Sequence, residues 1–411
     1  MTTPSPALPT QEPAFRHATP LSGPGFQQTS ADLYAEMRRA HGPVAPVLLD
    51  GDVPAWLVLG YREVQYVVSS PEVFGRDSRR WNAWDRVPPD WPLLPLIGHQ
   101  PTMMFAEGAE HRRRAEALDE ALGAVDQFEL GARAQQVADQ LIDAFAGSGE
   151  ADLITQYADG VPLPVVARMI GVPEAETADL VRDVYQTHAA GEGANEAYAR
   201  VREKVRRMVE SKKDTPGPDV TSRLLAHPAA LAVEEITEDL LHLMNAGQLP
   251  TAYWIGNTLR LMLTDDRFAM TLSGGRRSVG QALNEVLWED TPTQNFPGRF
   301  AVHDVRLGGR QIRKGDLLIL GLAAANHDPL VRPLPQTSSG NQAYMSFSYG
   351  DHRCPYAAQE IAKVIAEAAI EVLLDRLPDV VLAVPADTLT WRPSPLFRGL
   401  SALPVKFSLA W

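Results

Sequence analysis

The sequence feature that most constrains the fold is a long region of helical periodicity between residues 109 and 290. Apolar residues recur there every three or four positions, for example in ARAQQVADQLIDAFAG (132–147) and NEAYARVREKVRRMVESKK (195–213). This spacing is typical of amphipathic helices. DTPGPD at 214–219 indicates a loop inside the helical region rather than a domain linker. Helix is therefore expected to outweigh strand.

Strand-like patterns flank this region. PVLLDGDVPAWLVL (46–59) and DVRLGGRQIRKGDLLIL (304–320) alternate around Asp50-Gly51 and Gly308-Gly309, and each predicts a hairpin. Near the C-terminus four alternating apolar residues are expected to share one strand face: Val405, Phe407, Leu409 and Trp411.

The domain organisation follows from length and composition. A chain of 411 residues allows roughly two or three domains, but we see no internal repeat and no linker. Residues 1–28, rich in Pro, Ser, Thr and Gln, are expected to form a loose arm. The predicted fold class is mainly α with a small β region, in a single domain over residues 29–411.

Charge and hydropathy limit the partners. There are 51 acidic and 38 basic side chains, so a net charge of −13 argues against a nucleic-acid or membrane partner. The longest apolar stretch, residues 317–325, is about half of the roughly 20 residues that a spanning helix needs. The first 15 residues lack the charged and apolar regions of a signal peptide. We therefore expect a cytoplasmic location.

The single cysteine, Cys354, is the first candidate for chemistry. One cysteine excludes an internal disulfide, a cysteine-based zinc site and a four-cysteine iron–sulfur cluster. Cys354 precedes Pro355 and an apolar helical pattern, and the N-terminus of a helix favours a thiolate, which suits a metal ligand or a nucleophile. On spacing alone, a buried and inert cysteine is equally expected. A nucleophile would also need a partnered histidine, and His352 need not face it.

The residues before Cys354 carry a specific resemblance. Phe347, Gly350, His352 and Cys354 match the pattern Phe-x-x-Gly-x-His-x-Cys, so this loop resembles the haem-binding loop of the cytochrome P-450 superfamily. The resemblance covers nearly the whole chain, including AEGAEHRRR (106–114), AGQLPTAYWIGNTL (246–259) and TWRPSPLFRGLSALPV (390–405). It implies the cytochrome P-450 fold and haem b, with Cys354 as the axial thiolate and metal ligand. Phe347 and Gly350 would let the loop pass beneath the ring.

The resemblance also implies contacts to the haem propionates from His111, Arg299 and His352. The chain departs from the family at Ala115, where relatives place an arginine, and at Tyr344, where relatives place a histidine before the loop. We predict that Tyr344 lies at the cofactor and that one of three arginines rebuilds the missing contact: Arg113, or its neighbours Arg112 and Arg114. For Arg113 and Arg114 a solvated surface position is the alternative.

A second departure concerns the usual Glu-x-x-Arg motif, which here is Glu285-Val286-Leu287-Trp288. The stretch PLPQTSSGNQAY (333–344) likewise has no arginine to complete the usual triad. Our interpretation is that Trp288 packs into the vacated space and that haem binding is kept.

The third departure lies in a helix expected from about 233 to 266. The family's oxygen-activation motif, Ala-Gly-x-acid-Thr-Thr, appears here as Ala246-Gly247-Gln248-Leu249-Pro250-Thr251. Pro250 predicts a kink or, alternatively, two helices meeting at 247–250. Leu249 and Pro250 replace the acid and alcohol that usually deliver protons. Protons would then come from water, Thr251, Gln248 or the substrate.

These departures shape the functional hypothesis. The chain resembles bacterial haem-thiolate oxidoreductases of secondary metabolism that use dioxygen and electrons from ferredoxin and ferredoxin reductase. The missing pair favours radical coupling of aromatic small molecules, of the kind that joins tryptophan-containing cyclodipeptides. A conventional monooxygenase that hydroxylates a hydrophobic substrate and a catalytically silent haem-binding partner protein are the alternatives.

The resemblance places the substrate cavity beside Leu249, Pro250 and Phe397. The segment SRRWNAWDRVPPDWPLLPLIGHQ (78–100), which borders the cavity in the family, offers three tryptophans for stacking on aromatic substrates: Trp81, Trp84 and Trp91. The same tryptophans could instead pack a long loop. Arg353 and the three arginines that follow His111 are candidates for a basic face that docks an acidic ferredoxin.

Overall fold

A computed structural model describes residues 15–28, 30–188, 193–265, 268, 278–331 and 341–409. Helices dominate, as the periodicity predicts. In chain order, α1 to α14 are Pro24–Gln28, Ser30–His41, Tyr61–Ser69, Leu94–Ile97, Gly108–Gly123, Gln127–Phe145, Pro162–Met169, Glu174–His188, Ala194–Asp214, Val220–Ala226, Val233–Thr264, Val279–Glu289, Leu322–Asn326 and Tyr356–Arg376.

Local sequence sets several helix starts. Asp126 accepts hydrogen bonds from the backbone N–H groups of Phe128 and Glu129 and so caps α6. Asp219 caps α10 in the same way through Ser222. Ser278 and Gln281 form a reciprocal capping box at the start of α12. Each cap satisfies amide groups that the first helical turn leaves unpaired.

The strands β1 to β11 form three small sheets. They are Thr19–Pro20, Val44–Leu49, Val53–Val58, Phe74–Gly75, Glu150–Asp152, Phe296–Ala301, Val305–Leu307, Arg310–Ile312, Leu317–Leu320, Val381–Leu382 and Pro404–Lys406. The largest sheet has the order β1-β2-β3-β9-β6-β4, and the others are β10-β11-β5 and β7-β8. Both predicted hairpins are confirmed as β2-β3 and β7-β8. Gly308 and Gly309 take positive φ in the tight turn of the second.

The cores follow the two periodicities. Along β9, Leu317 and Ile319 point to one side of the large sheet, whereas Leu318 and Leu320 point to the other, so each face has its own apolar cluster. The main core lies among the helices and includes the buried residues of α11, α6 and α14. The long helix α11 therefore runs through the centre of the helical part.

Some sequence expectations need correction. Residues 1–14 lie outside the described residues, but the described part of the predicted arm packs through Phe15, Leu21 and Phe26, so it is not loose. At the C-terminus Leu409 is exposed while Val405 and Phe407 are buried; Trp411 lies outside the described residues. None of the helices in the described ranges is long and apolar enough to span a bilayer.

Pro250 neither ends nor divides α11. The helix continues from Val233 to Thr264, so the alternative of two helices meeting at 247–250 is wrong. Buried residues on both sides of Pro250, such as Leu243 and Ile255, pack into the same core. Tertiary packing therefore outweighs the roughly 3 kcal/mol that an interior proline costs.

Candidate active site

Residues 345–354, here called the cysteine loop, lead into the N-terminus of α14. The backbone N–H of Cys354 donates to the carbonyl of Phe347 over 3.0 Å, which closes the loop on itself. Gly350 has a φ of 75°, and a Cβ there would lie 2.3 Å from the carbonyl oxygen of Val68 in α3. Only glycine permits this approach. The motif glycine thus fixes the loop against α3.

The start of α5 is tied to the cysteine loop by two histidines. The rings of His111 and His352 stack with centroids 3.7 Å apart. His352 Nε2 lies 2.9 Å from the carbonyl oxygen of Ala106, and His111 Nε2 lies 3.0 Å from that of Asp351. His111 and His352, which the resemblance places at the propionates, are therefore neighbours in the fold. His352 also precedes Cys354 by two residues in the chain.

Two buried arginines complete what we call the cationic cluster: Arg76, His111, Arg299 and His352. Arg76 donates to the carbonyl oxygens of Met104, Pro297 and Gly298. Arg299 is 2% exposed, and its one hydrogen bond to a described residue is a 3.4 Å contact with Gly298. A buried guanidinium with so little compensation is costly.

The pKa values in the cluster also reflect buried positive charge with little compensation. Burial lowers the pKa of Arg299 to about 10, and burial together with Arg299 holds the pKa of Arg76 well below its usual value. Burial is also the first cause that lowers the pKa of His352 to about 2, followed by the charges of Arg76, His111 and Arg299. The charge of Glu107 acts on Arg76 and Arg299 in the opposite direction, but this carboxylate is already paired with Arg80. The cluster is built to accept anions.

One face of α11 borders open space. Asn245 and Ala246 are exposed although they lie in the middle of a helix that crosses the core, and His242, one turn earlier, is half-buried. Arg76 lowers the pKa of both His242 and His352. Burial is the larger cause of both shifts. The rings of Trp254 in α11 and Phe347 in the cysteine loop lie 5.9 Å apart, so the helix packs beside the loop.

Known proteins share this architecture. The chain is 29% identical to the vitamin D(3) 25-hydroxylase of Pseudonocardia autotrophica over 392 residues, covering 92% of this chain and 94% of that protein. It is 29% identical to the biflaviolin synthase of Streptomyces coelicolor over 400 residues, with 94% of each covered. CYP154C4, a cytochrome P450 of a Streptomyces species whose structure is solved, matches with a TM-score of 0.83 at 28% identity, covering 95% and 98%.

The chain belongs to the cytochrome P450 superfamily. It is a P450 monooxygenase of bacterial secondary metabolism, with the mainly helical single-domain P450 fold. No protein-family model matches the sequence.

The residues of this P450 fit the family's haem. The cationic cluster offers the guanidinium groups of Arg76 and Arg299 to the two propionates, and this explains why Arg299 stays almost unpaired within the protein. Both ring nitrogens of His111 already lie against backbone carbonyl oxygens, so its predicted propionate contact is not supported. The open side of α11 leaves room beside the cysteine loop. Cys354 would supply the soft sulfur donor that haem iron accepts in this family. In this arrangement Arg76, Arg299 and the second ring nitrogen of His352 would hold the propionates.

The pKa of Cys354 corrects the expectation that the helix N-terminus favours a thiolate. Desolvation, with a smaller contribution from Asp119, raises the pKa of Cys354 to about 12, although Arg353 lowers it. The helix N-terminus does not by itself produce a thiolate, because the loss of hydration outweighs it. A free nucleophile is therefore disfavoured, and a bound cation would be needed to hold the thiolate.

The arginines after His111 do not join the cationic cluster. Arg113 pairs with Glu235 and also donates to the carbonyl of Ala229. Arg114 is buried in an ion pair with Asp239 at 2.6 Å. The predicted cofactor contact of Arg113 is therefore corrected, and Arg76 is the additional arginine that lies in the cationic cluster. Of the three arginines, Arg112 alone is exposed.

Tyr344 and Trp288 form a different structure beside the loop. Trp288 is 1% exposed, contacts Tyr344 edge-on at 5.8 Å and donates its indole N–H to the carbonyl of Asn341. Ser346 donates to the carbonyl of Leu287 at the same point. The packing interpretation of Trp288 fits this placement, whereas Tyr344 lies outside the cationic cluster.

The three tryptophans expected at the substrate cavity contact one another. The ring centroids of Trp81 lie 4.9 Å from Trp84 and 5.7 Å from Trp91. Trp84 donates to the carbonyl of Ser78, and Trp91 to that of Asp50. They pack one face of the large sheet, so the expectation that they stack on substrate is corrected. Phe397 is half-buried against this cluster and contacts Tyr253 of α11.

Helical geometry separates the residues of the oxygen-activation motif. At 100° per residue, Leu249 and Pro250 lie near Ala246, while Thr251 is about 140° away. Thr251 and Gln248 are each 3% exposed. Thr251 and Gly247 line a narrow apolar gap against α7 and α14, and Gln248 contacts Tyr185 of α8. The catalytic roles predicted for Thr251, Gln248 and Gly247 are not supported by this placement.

Sequence reasoning missed Arg76 and His242. Arg76 follows β4 and has no motif, so only the folded chain shows that it is buried. His242 precedes Ala246 by four residues, and helical spacing alone would have placed it on the same face.

Proposed function

We propose that this P450 is a haem-thiolate oxidoreductase in which Cys354 is the axial ligand and residues 29–411 form the catalytic domain. The observation that carries this proposal is the buried cationic cluster beside the chain's one cysteine. Haem, when bound, supplies the one-electron and oxygen chemistry that amino acid side chains lack. Arg76, Arg299 and His352 would orient it through its propionates, and His111 would support the ring of His352 by stacking.

The protein groups that handle protons set the reaction type. On the open face of α11, Leu249 and Pro250 carry no exchangeable side-chain proton, while Thr251 and Gln248 face other elements. Without a relay from this motif, hydrogen abstraction from an aromatic substrate followed by bond formation is favoured over oxygen insertion. The name of the biflaviolin synthase points to a doubled product, which supports coupling as a reaction class.

Cyclodipeptides that contain tryptophan remain one substrate class to screen. The packing of Trp84 and Trp91 against Trp81 removes the stacking surface that was expected for them, so the missing acid and alcohol remain the support for this class. Phe397, Leu249 and Pro250 remain as candidate cavity walls for any aromatic ring.

Hydroxylation is the second candidate, because the vitamin D(3) 25-hydroxylase is as similar in sequence as the biflaviolin synthase. Turnover under ¹⁸O-labelled dioxygen with ferredoxin and ferredoxin reductase separates the two reactions. We expect an unlabelled coupled product. A labelled monomer as the major product would establish hydroxylation, and no turnover of any screened substrate would favour a silent haem-binding protein.

Electron delivery would use an exposed basic site. Arg112 is exposed at α5 and Arg353 lies over the ring of Tyr356, whereas Arg113 and Arg114 are engaged by Glu235 and Asp239. Arg112→Glu should therefore slow reduction by ferredoxin and weaken its dependence on salt. An unchanged salt dependence would place the docking face elsewhere.

A further inference from the structure

His242 is an unused polar group on the open face of α11. It precedes Ala246 by one helical turn and is half-buried, while its neighbours Leu241 and Leu243 are buried. Its imidazole makes no hydrogen bond to any residue in the described ranges. On its own helix, the nearest charged group toward the N-terminus is Asp239, which is already paired with Arg114.

The surroundings keep this imidazole neutral. Burial, with the charge of Arg76 as a second cause, lowers the pKa of His242 to about 4. A neutral imidazole carries one N–H donor and one nitrogen acceptor. Ala246, Leu249 and Pro250 follow it along the same side of the helix and are apolar. Asn245 is also exposed on this face, and its amide N–H donates to a carbonyl of the helix backbone. The open face thus has an apolar stretch, a partnered amide and one imidazole without a partner in the described ranges.

We propose that His242 is a specificity-determining residue that hydrogen-bonds a hydroxyl or N–H group on an aromatic substrate. This inference rests on the proposed function, in which the space beside α11 holds the substrate. An apolar wall with one imidazole that lacks a partner in the described ranges fits a ring that carries one polar substituent. A ring without that substituent leaves the imidazole unsatisfied and binds less well.

The test uses the haem-loaded protein and two probes that differ by one hydroxyl, 2-naphthol and naphthalene. Isothermal calorimetry gives the ratio of their dissociation constants. In the wild type, 2-naphthol should bind about tenfold more tightly than naphthalene. His242→Leu should bring the ratio near one without weakening naphthalene, and His242→Gln should restore part of the preference. His303→Leu, an exposed histidine in a turn, is the matched control.

Three results would overturn the inference. One is a ratio that His242→Leu leaves unchanged. Another is loss of haem from His242→Leu, which would make His242 a propionate ligand. The third is a resting spectrum of a six-coordinate thiolate–imidazole haem that disappears in this variant, which would make it an iron ligand. Failure of the proposed function has a different readout: the wild type would lack the absorption spectrum of a thiolate haem. Calorimetry does not depend on that spectrum, so the two failures can be distinguished.

Discussion

The cysteine loop and the middle of α11 differ in how many residues of the family's motifs they retain. The loop has all four residues of the haem-binding pattern, and the fold gathers His111, Arg299 and Arg76 around it. The middle of α11 keeps the small residues Ala246 and Gly247 but has lost the polar pair. In the proposed function, cofactor binding and proton handling would therefore lie on separate elements, so that one could change while the other is maintained.

The largest expected effect tests the loop. Cys354→Ala should abolish the red-shifted Soret band of the reduced carbon monoxide complex, because no other cysteine is available. The absorption spectrum of the reduced complex is the measurement. Retention of the band in this variant would show that the iron ligand is wrongly assigned.

Trp288 tests whether packing has replaced the usual arginine motif. Trp288→Ala should lower the free energy of unfolding by about 3–5 kcal/mol, since the side chain is fully buried. Denaturant titration measures the loss, and Trp288→Phe, which keeps most of the ring volume, should lose less. Unchanged stability in the alanine variant would refute the packing interpretation.

Arg299 separates haem binding from the stability of the protein itself. Arg299→Leu should weaken haem binding about 10- to 100-fold through loss of a charge-assisted bond. The haem-free variant should be as stable as the wild type or more stable by about 1–3 kcal/mol, because a buried and barely compensated charge is removed. Haem transfer to apomyoglobin and denaturant titration provide the two readouts. Arg113→Leu is the control and should not alter haem retention, since Arg113 pairs with Glu235.

The smallest effect concerns product distribution. Leu249→Asp combined with Pro250→Thr restores an acid and an alcohol on the open face of α11, and should raise the labelled, oxygen-inserted fraction of the product several-fold. Thr251→Val should leave the product ratio unchanged, because Thr251 faces α7 and α14. If Thr251→Val shifts the product ratio more than the double substitution does, proton delivery has been assigned to the wrong residues.

Local sequence determined much of this protein. Helical spacing and the two turn pairs predicted the helical architecture and the hairpins, and the eight-residue pattern around Cys354 predicted the family. Such signals depend on neighbours along the chain, so they can be recognised without the fold.

Tertiary structure decided the partners of residues that have no local signal. Arg76 and Arg113 look alike in the sequence, yet Arg76 lies buried with Arg299 while Arg113 binds Glu235. The tryptophans of residues 81–91 turned to one another because burying their rings together removes more apolar surface from water than lining an open cavity would. Charge pairing and ring packing join residues far apart in the chain, and only the folded molecule determines which of them meet.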